Sequence, residues 1–239
     1  MTNVSPVALV HGAGCSIGNE LAALLGAQGI HVVLYDQLNR EQACQATAAS
    51  VRSAGGNAAV LPATVPNSEV ITETVKIHGR LDLLFNILVP GVDTAVASVF
   101  SYPQELLFRN TSAAEAMVAC GTPGAIVNQC FVGALFQDTP LETAIVMARG
   151  GISSASREIC CKFGKAGIRI NNIQLGLIDL PEAKALATDK TLARKPPVGR
   201  WGTATEVAKF MIFLGARNGY MTGQSICFDG GQTAGNTGI

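Results

Sequence analysis

Apolar and polar positions along this chain fall into two alternating patterns. Short apolar blocks read as strands: VALV from Val7, IHVVLYD from Ile30, AAVLPA from Ala58, LDLLFNILV from Leu81, GAIVNQC from Gly124, IRINNIQL from Ile168 and SICFD from Ser225. Between them lie longer stretches with the period of helices. The stretch after Asp36 is stopped by Gly55 and Gly56, and Asn67 or Ser68 is placed to cap the next helix, which ends at Gly79. Ser101 and Pro103 are placed to open a helix running to about Cys120, and a second long helix is expected from about Leu141 to Lys165. Thr203 and Glu206 have the spacing of a capping box for the helix ending near Gly215. The segment PGVDTAVASVF, from Pro90, reads as loop or a short helix, and the proline-containing connection from Gly176 to Gly202 reads as irregular. Strands alternating with helices predict one α/β domain over residues 1–239: a Rossmann-like, doubly wound parallel sheet flanked by helices.

The first strand leads into the pattern on which function turns. VALVHGAGCSIGNE, Val7 to Glu20, joins a strand to a helix through Gly12, Gly14 and Gly18, and the following strand ends at Asp36. Such a turn brings the N–H groups of a helix start against a pyrophosphate, and an acid at that strand end meets an adenosine ribose. Two residues depart from the pattern. A GxxxGxG turn has glycine where this chain has Ser16, and His11 precedes the first glycine in place of a small hydroxyl residue. The turn reads as belonging to a dinucleotide fold whose dinucleotide site has eroded.

Charge and cysteine content narrow the partners. Lysine plus arginine (17) balance aspartate plus glutamate (17) with no basic run, which argues against nucleic acid and anionic membrane. No apolar run reaches the length of a membrane span, and MTNVSP lacks the pattern of a leader. The 7 cysteines are scattered without CxxC spacing, so no metal site is expected and a reduced, cytoplasmic protein is.

The C-terminal part is the most specific. Through GRWGTATEVAKFMIFL and YMTGQSICFDGG, together with AGIRINN and LDLLFN, the sequence resembles the short-chain dehydrogenase/reductase family along nearly its whole length. The resemblance implies an NAD(P)-dependent oxidoreductase with a tyrosine as acid/base, a lysine that lowers its pKa, a serine that orients the substrate and an asparagine that completes a proton relay. Each must lie within hydrogen-bond reach of the next. Counting back from Gly167, the tyrosine position holds Ile145 and the lysine position Arg149. The serine positions hold Cys130 and Phe131, with Val132 the alternative in the adjoining loop. The NNAG stretch reads Asn86, Ile87, Leu88, Val89; the acid after strand three is Thr64; the PG after strand six is Leu175 and Gly176; no asparagine stands at the relay position. No catalytic residue is therefore expected. No cofactor is expected in this chain either, and Gly12, Ser16, Gly18, Asp36, Thr64 and Asn86 remain as vestiges of the NAD site.

Each of these residues also has a plainer reading. Gly12 and Gly18 serve the backbone of the turn whether or not a nucleotide binds, and Asp36 is equally a turn or cap residue. Arg149 is an ion-pair or surface residue; an arginine at the lysine position also resembles the halohydrin dehalogenases, which keep the serine and tyrosine missing here. Cys130 is a buried apolar filler, Cys160 and Cys161 point apart on a helix, the three histidines propose no cluster, and Trp201 is packing. The small residues GGISSAS after Arg149 permit close helix approach, and the resemblance implies that the two long helices, and the last strand with its preceding helix, form subunit interfaces.

These readings converge on a non-catalytic subunit that supports or regulates an active, NAD-binding homologue in an α2β2 hetero-oligomer. The resemblance extends to a 3-hydroxyacyl-CoA-type substrate for the complex, with the tail Gly230 to Ile239 placed to reach toward the partner. Two alternatives stand beside it: a cofactor-free enzyme using Cys130 or Arg149, and a homomeric protein that binds another ligand in the vacated pocket.

Overall fold

The apolar blocks become strands and the periodic stretches helices in the computed structural model, which describes residues 5–88, 96–132, 140–185, 187 and 195–234. The main sheet contains β1 (Val7–His11), β2 (His31–Tyr35), β3 (Asn57–Val60), β4 (Leu83–Asn86), β5 (Ala125–Phe131), β6 (Arg169–Leu175) and, after two short strands, β9 (Ser225–Phe228). Its order is β3-β2-β1-β4-β5-β6-β9, with every neighbouring pair parallel. The order reverses between β1 and β4, so a crevice opens at their carboxyl ends, where open α/β sheets place ligands. The short strands β7 (Ile178–Asp179) and β8 (Gly202–Thr203) pair with each other beside that edge.

Alternation along each strand sends side chains to two cores. Ala8, Val10, Val32, Leu34, Phe85 and Val127 pack against α1 (Ser16–Gly26), α2 (Glu41–Ser53) and α7 (Ala204–Ile212). Val7, Leu9, Val33, Leu84, Ile126 and Ile170 face α3 (Val70–His78), α4 (Val96–Ala119) and α5 (Pro140–Phe163). The remaining helix, α6 (Pro181–Lys184), is a single turn after β7. Among the described residues no helix is long and apolar enough to cross a membrane.

On the α4/α5 face the apolar pattern is interrupted by one polar row running across the strands. Register aligns Tyr35 with His11, His11 with Asn86, Asn86 with Asn128, Asn128 with Asn172 and Asn172 with Ser225. Asn86 Nδ2 donates to Asn110 Oδ1 on α4 and to Asn128 Oδ1, both at 2.9 Å, while Arg109 Nη1 donates to Asn86 Oδ1 at 3.0 Å. Asn128 Nδ2 donates to Asn172 Oδ1 at 2.9 Å, and Ser156 of α5 donates to the same oxygen at 3.0 Å. Asn172 in turn reaches Ser225, whose hydroxyl reaches Ser153 on α5. Buried amides are tolerated in an apolar interior only when their donors and acceptors are used. Here each supports the next.

Several expectations are corrected. The helix expected to open at Ser101 begins at Val96 and carries Pro103 inside it, while residues 89–95, including Val89, lie outside the described residues. Asn67 does not cap α3, which starts after Glu69 without a side-chain cap; its carboxamide oxygen instead lies 2.7 Å from His11 Nε2. The histidines form no cluster among the described residues, though the rings of His31 and His78 stand 4.6 Å apart where the end of α3 returns beside the start of β2. The connection from Gly176 to Gly202 contains β7, α6 and the start of β8. The capping box at Thr203 and Glu206 forms as read, with Thr203 Oγ1 accepting from the Glu206 N–H and the Glu206 carboxylate accepting from the Thr203 N–H. Of the tail, Gly231 and Thr233 are tied to the Asp229 carboxylate, and residues 235–239 lie outside the described residues.

Two outcomes follow from the polar row. Asn128→Ala leaves Asn86, Asn172 and Ser156 short of partners and is expected to lower stability by roughly 3 kcal/mol in urea unfolding. Burial, with the nearby Arg109 cation, drops the pKa of His11 from 6.5 to about 3. The native imidazole thus stays neutral while the unfolded one protonates, so the unfolded state binds the extra proton throughout that window and stability falls as pH drops through it. Urea midpoints measured between pH 7 and pH 4 are expected to decline more steeply for the natural chain than for His11→Gln.

Candidate functional site

At the crevice, the glycine turn is built as the sequence requires. Gly12 adopts a positive φ of 81°, and a Cβ there would collide with the carbonyl of Ile87; a Cβ at Gly18 would collide with the carbonyl of Ala13. Both glycines are fixed by the strand-to-helix turn itself.

The N–H groups of Gly12, Ala13, Gly14, Ser16 and Gly18 find acceptors within the chain. The N–H groups of Gly12 and Ala13 donate to the carbonyl of Tyr35 at 2.9 and 3.1 Å. Gly14 donates to Asp36 Oδ2 at 2.8 Å, and the other carboxylate oxygen of Asp36 accepts from Gln37. Asp36 is buried, not solvated, and folds back onto the turn. Arg40 covers Gly14 from outside, donating to its carbonyl. Cys15 is the N-cap of α1: its sulfur accepts from Gly18, and its carbonyl accepts from Asn19. Burial pushes this thiol up to about 12, so it stays protonated. The N–H of Ser16 is 2.7 Å from Glu182 Oε1, and the Ser16 hydroxyl donates to Glu182 Oε2 at 3.0 Å.

As arranged, the turn offers a pyrophosphate none of the N–H groups of Gly14, Ser16 and Gly18. A helix start binds phosphate through free N–H groups, and here two carboxylates and a sulfur take those of Gly14, Ser16 and Gly18. Thr64 is exposed in the turn after β3. Asn86 belongs to the polar row, with its amide donating to Asn110 and Asn128 and its oxygen accepting from Arg109.

The positions matched to catalysis are similarly occupied. Ile145 and Phe131 are 7% and 5% exposed and belong to the same apolar cluster as Val132. Cys130 packs with Leu106 and Ile152, its Sγ 3.6 Å from the carbonyl of Ile173. Burial raises its pKa to about 12, partly offset by the Arg149 charge, so at neutral pH it is a thiol rather than a nucleophilic thiolate. Arg149 is half-buried on α5 and forms no ion pair among the described residues. Tyr102 of α4 lies against the Cys130 cluster with its hydroxyl buried and unpartnered, but burial raises its pKa, opposite to the need of an acid/base tyrosine. Trp201 packs against the main core. Among the described residues no three His, Cys, Asp or Glu side chains converge to hold a metal ion.

Sequence reasoning missed Glu182, Arg109 and Asn110. Glu182 follows Pro181, and proline then an acid is a helix-start signal inside the connection read as irregular. Arg109 and Asn110 fall on the buried stripe of α4 with Leu106, Ala113, Ala114 and Met117, so polar residues at core spacing were the available signal.

Comparison with known proteins agrees with this architecture. A family model described as enoyl-(acyl carrier protein) reductase matches residues 12–233. The short-chain reductase protein NovJ of Streptomyces niveus is 29% identical, over 95% of this chain and 93% of its own length. The cyclohexanol dehydrogenase of Acinetobacter sp. (strain SE19) is 30% identical, over 95% of each. Levodione reductase superposes with a TM-score of 0.82 at 23% identity, over 96% of this chain and 98% of its own, which speaks to the fold alone. With a family match across most of its length and the parallel sheet in the expected order, this chain belongs to the short-chain dehydrogenase/reductase family.

Proposed function

We propose that this chain is a non-catalytic subunit that supports or regulates an active, NAD-dependent short-chain dehydrogenase in an α2β2 hetero-oligomer. The observation that carries the reading is the burial of Ile145 and Phe131 in one apolar cluster where the family places its tyrosine and serine. An aliphatic and an aromatic hydrocarbon side chain can neither donate nor accept the proton of a hydride-transfer reaction. The inward-turned donors of the glycine turn support the same reading, with NAD held by the partner.

The outer surface supports association. On α5, Gly150 has nothing within 4 Å of where a Cβ would stand, and Gly151 meets only Pro103 at 3.8 Å. Beside them Met147 is 59% exposed, and on α4 Phe108 is 55% exposed, with Leu107, Val118 and Val146 also outward. Helical glycines cost about 1 kcal/mol each relative to alanine, and a neighbouring subunit's helix packed on this face would offset that. The 2-[hydroxy(phenyl)methyl]succinyl-CoA dehydrogenase of anaerobic toluene degradation is an assembly of one live and one degenerate subunit, and this chain resembles the degenerate one. A 3-hydroxyacyl-CoA-type substrate for the complex follows from that likeness. The reading in which Cys130 is a nucleophile is opposed by its burial and raised pKa.

Calorimetric titration of NAD, with native mass on the same samples, tests the proposal. The purified chain is expected to bind none, and its complex with an intact homologue to bind about one NAD per homologue; stoichiometric binding by this chain alone would overturn the reading. Phe108→Asp with Met147→Asp is expected to abolish the mixed assembly while leaving the circular-dichroism spectrum of the chain unchanged. Cys130→Ser is expected to leave the turnover of the complex within about twofold of the natural one, as for a residue outside the chemistry.

A further inference from the structure

The structure assigns Glu182 as an internal anion: its carboxylate takes the position on the α1 N-terminus that a phosphate group would take, and holds the nucleotide crevice of this chain shut. The inference rests on the reading that this chain carries no working dinucleotide site, and identifies what closes it. Both carboxylate oxygens are used, one by the Ser16 N–H and one by the Ser16 hydroxyl, across 166 positions of sequence. Ser16, the residue that departs from the glycine pattern, donates both hydrogen bonds, and its hydroxyl supplies the one a glycine could not. What reads as erosion at one position is half of a matched pair.

The segment bearing Glu182 is held from both sides. Before it, Ile178 and Leu180 are buried and β7 pairs with β8; after it, Ala183 is buried, and both Leu180 and Ala183 belong to the main core. Lys184 closes the turn outside with an ion pair to Asp179. These anchors aim the Glu182 side chain at α1, where the helix dipole and an unpaired N–H favour negative charge. A phosphate arriving there must break two charge-assisted hydrogen bonds and then sit beside two displaced or buried carboxylates, Glu182 and Asp36, the latter already on Gly14. The contact therefore excludes phosphate-bearing ligands while doing for the segment what a bound anion would do, tying it to the helix start.

The test uses the full-length chain with inorganic pyrophosphate as probe, sodium chloride matching its ionic strength as control, and both titration calorimetry and amide hydrogen exchange as readouts. The natural chain is expected to take up no pyrophosphate. Glu182→Ala is expected to bind it with an apparent affinity about tenfold or more above the natural chain's limit, the scale set by hydrogen bonds to a charged group. Glu182→Gln, which keeps size and an acceptor, is expected to bind more weakly than the alanine variant and serves if that variant fails to fold. In both variants the Ser16 amide is expected to exchange faster, and pyrophosphate to slow it again. Variants that bind no more pyrophosphate than the natural chain, or leave Ser16 exchange unchanged, overturn the assignment while the non-catalytic reading stands. Binding of NAD and pyrophosphate by the natural chain overturns both.

Discussion

Three asparagines on neighbouring strands hold the centre of this molecule together. Asn86, Asn128 and Asn172 face one another across β4, β5 and β6, and their amides join the sheet to α4 through Asn110 and to α5 through Ser156. An apolar sheet face fixes which way side chains point but is permissive about which helix residue sits where. A buried amide is not, because an unpartnered donor or acceptor in a low-dielectric interior is costly. The row therefore fixes the register of α4 and α5 against the sheet, and with it the outer face that those helices present.

The family architecture is likewise held by contacts distributed over the whole chain. The capping box of α7 and the π-turn Phe213–Arg217, whose Leu214 and Gly215 carbonyls accept from Arg169, lie away from the carboxyl ends of β1 and β4, whereas the polar row reaches them at His11 and Asn86. The substituted positions are at the crevice. Ile145 and Phe131 join an existing apolar cluster instead of standing as isolated losses, and Asp36 serves the backbone of the turn. Among these positions Ile145, Phe131, Asp36 and Asn86 have packing or hydrogen-bonding roles inside this chain, while Thr64 is exposed.

Much of the fold was legible because periodicity and end signals are local. The β1–turn–α1–β2 unit, the long α5 and the Thr203/Glu206 box were read from neighbouring residues, and the identities at Ile145, Arg149, Cys130 and Phe131 from a family pattern of fixed spacing. What escaped depends on partners distant in sequence. Asn67 carries the chemistry of a cap but meets His11 from 56 positions away. His31 and His78 meet only because crossovers bring both to one edge. Pro103 signals a helix start, yet α4 begins ahead of it; the side chains around Asn110 and Ser156 that anchor the middle of α4 and α5 are set by tertiary contact, not by local propensity. Nothing in the strand that carries Asn86 reveals the row it belongs to.

The Ser16–Glu182 pair also bears on how such a chain changes over time. Glycine at 16 alone would leave one oxygen of the Glu182 carboxylate without its hydroxyl partner; loss of the carboxylate alone would leave the Ser16 N–H without an acceptor. Contacting residues of this kind are energetically coupled, so the effects of the two changes do not add. A substitution at one of the two positions is thus felt at the other. The pair thus constrains two positions 166 residues apart in sequence, each of which accepts change more readily when the other changes with it.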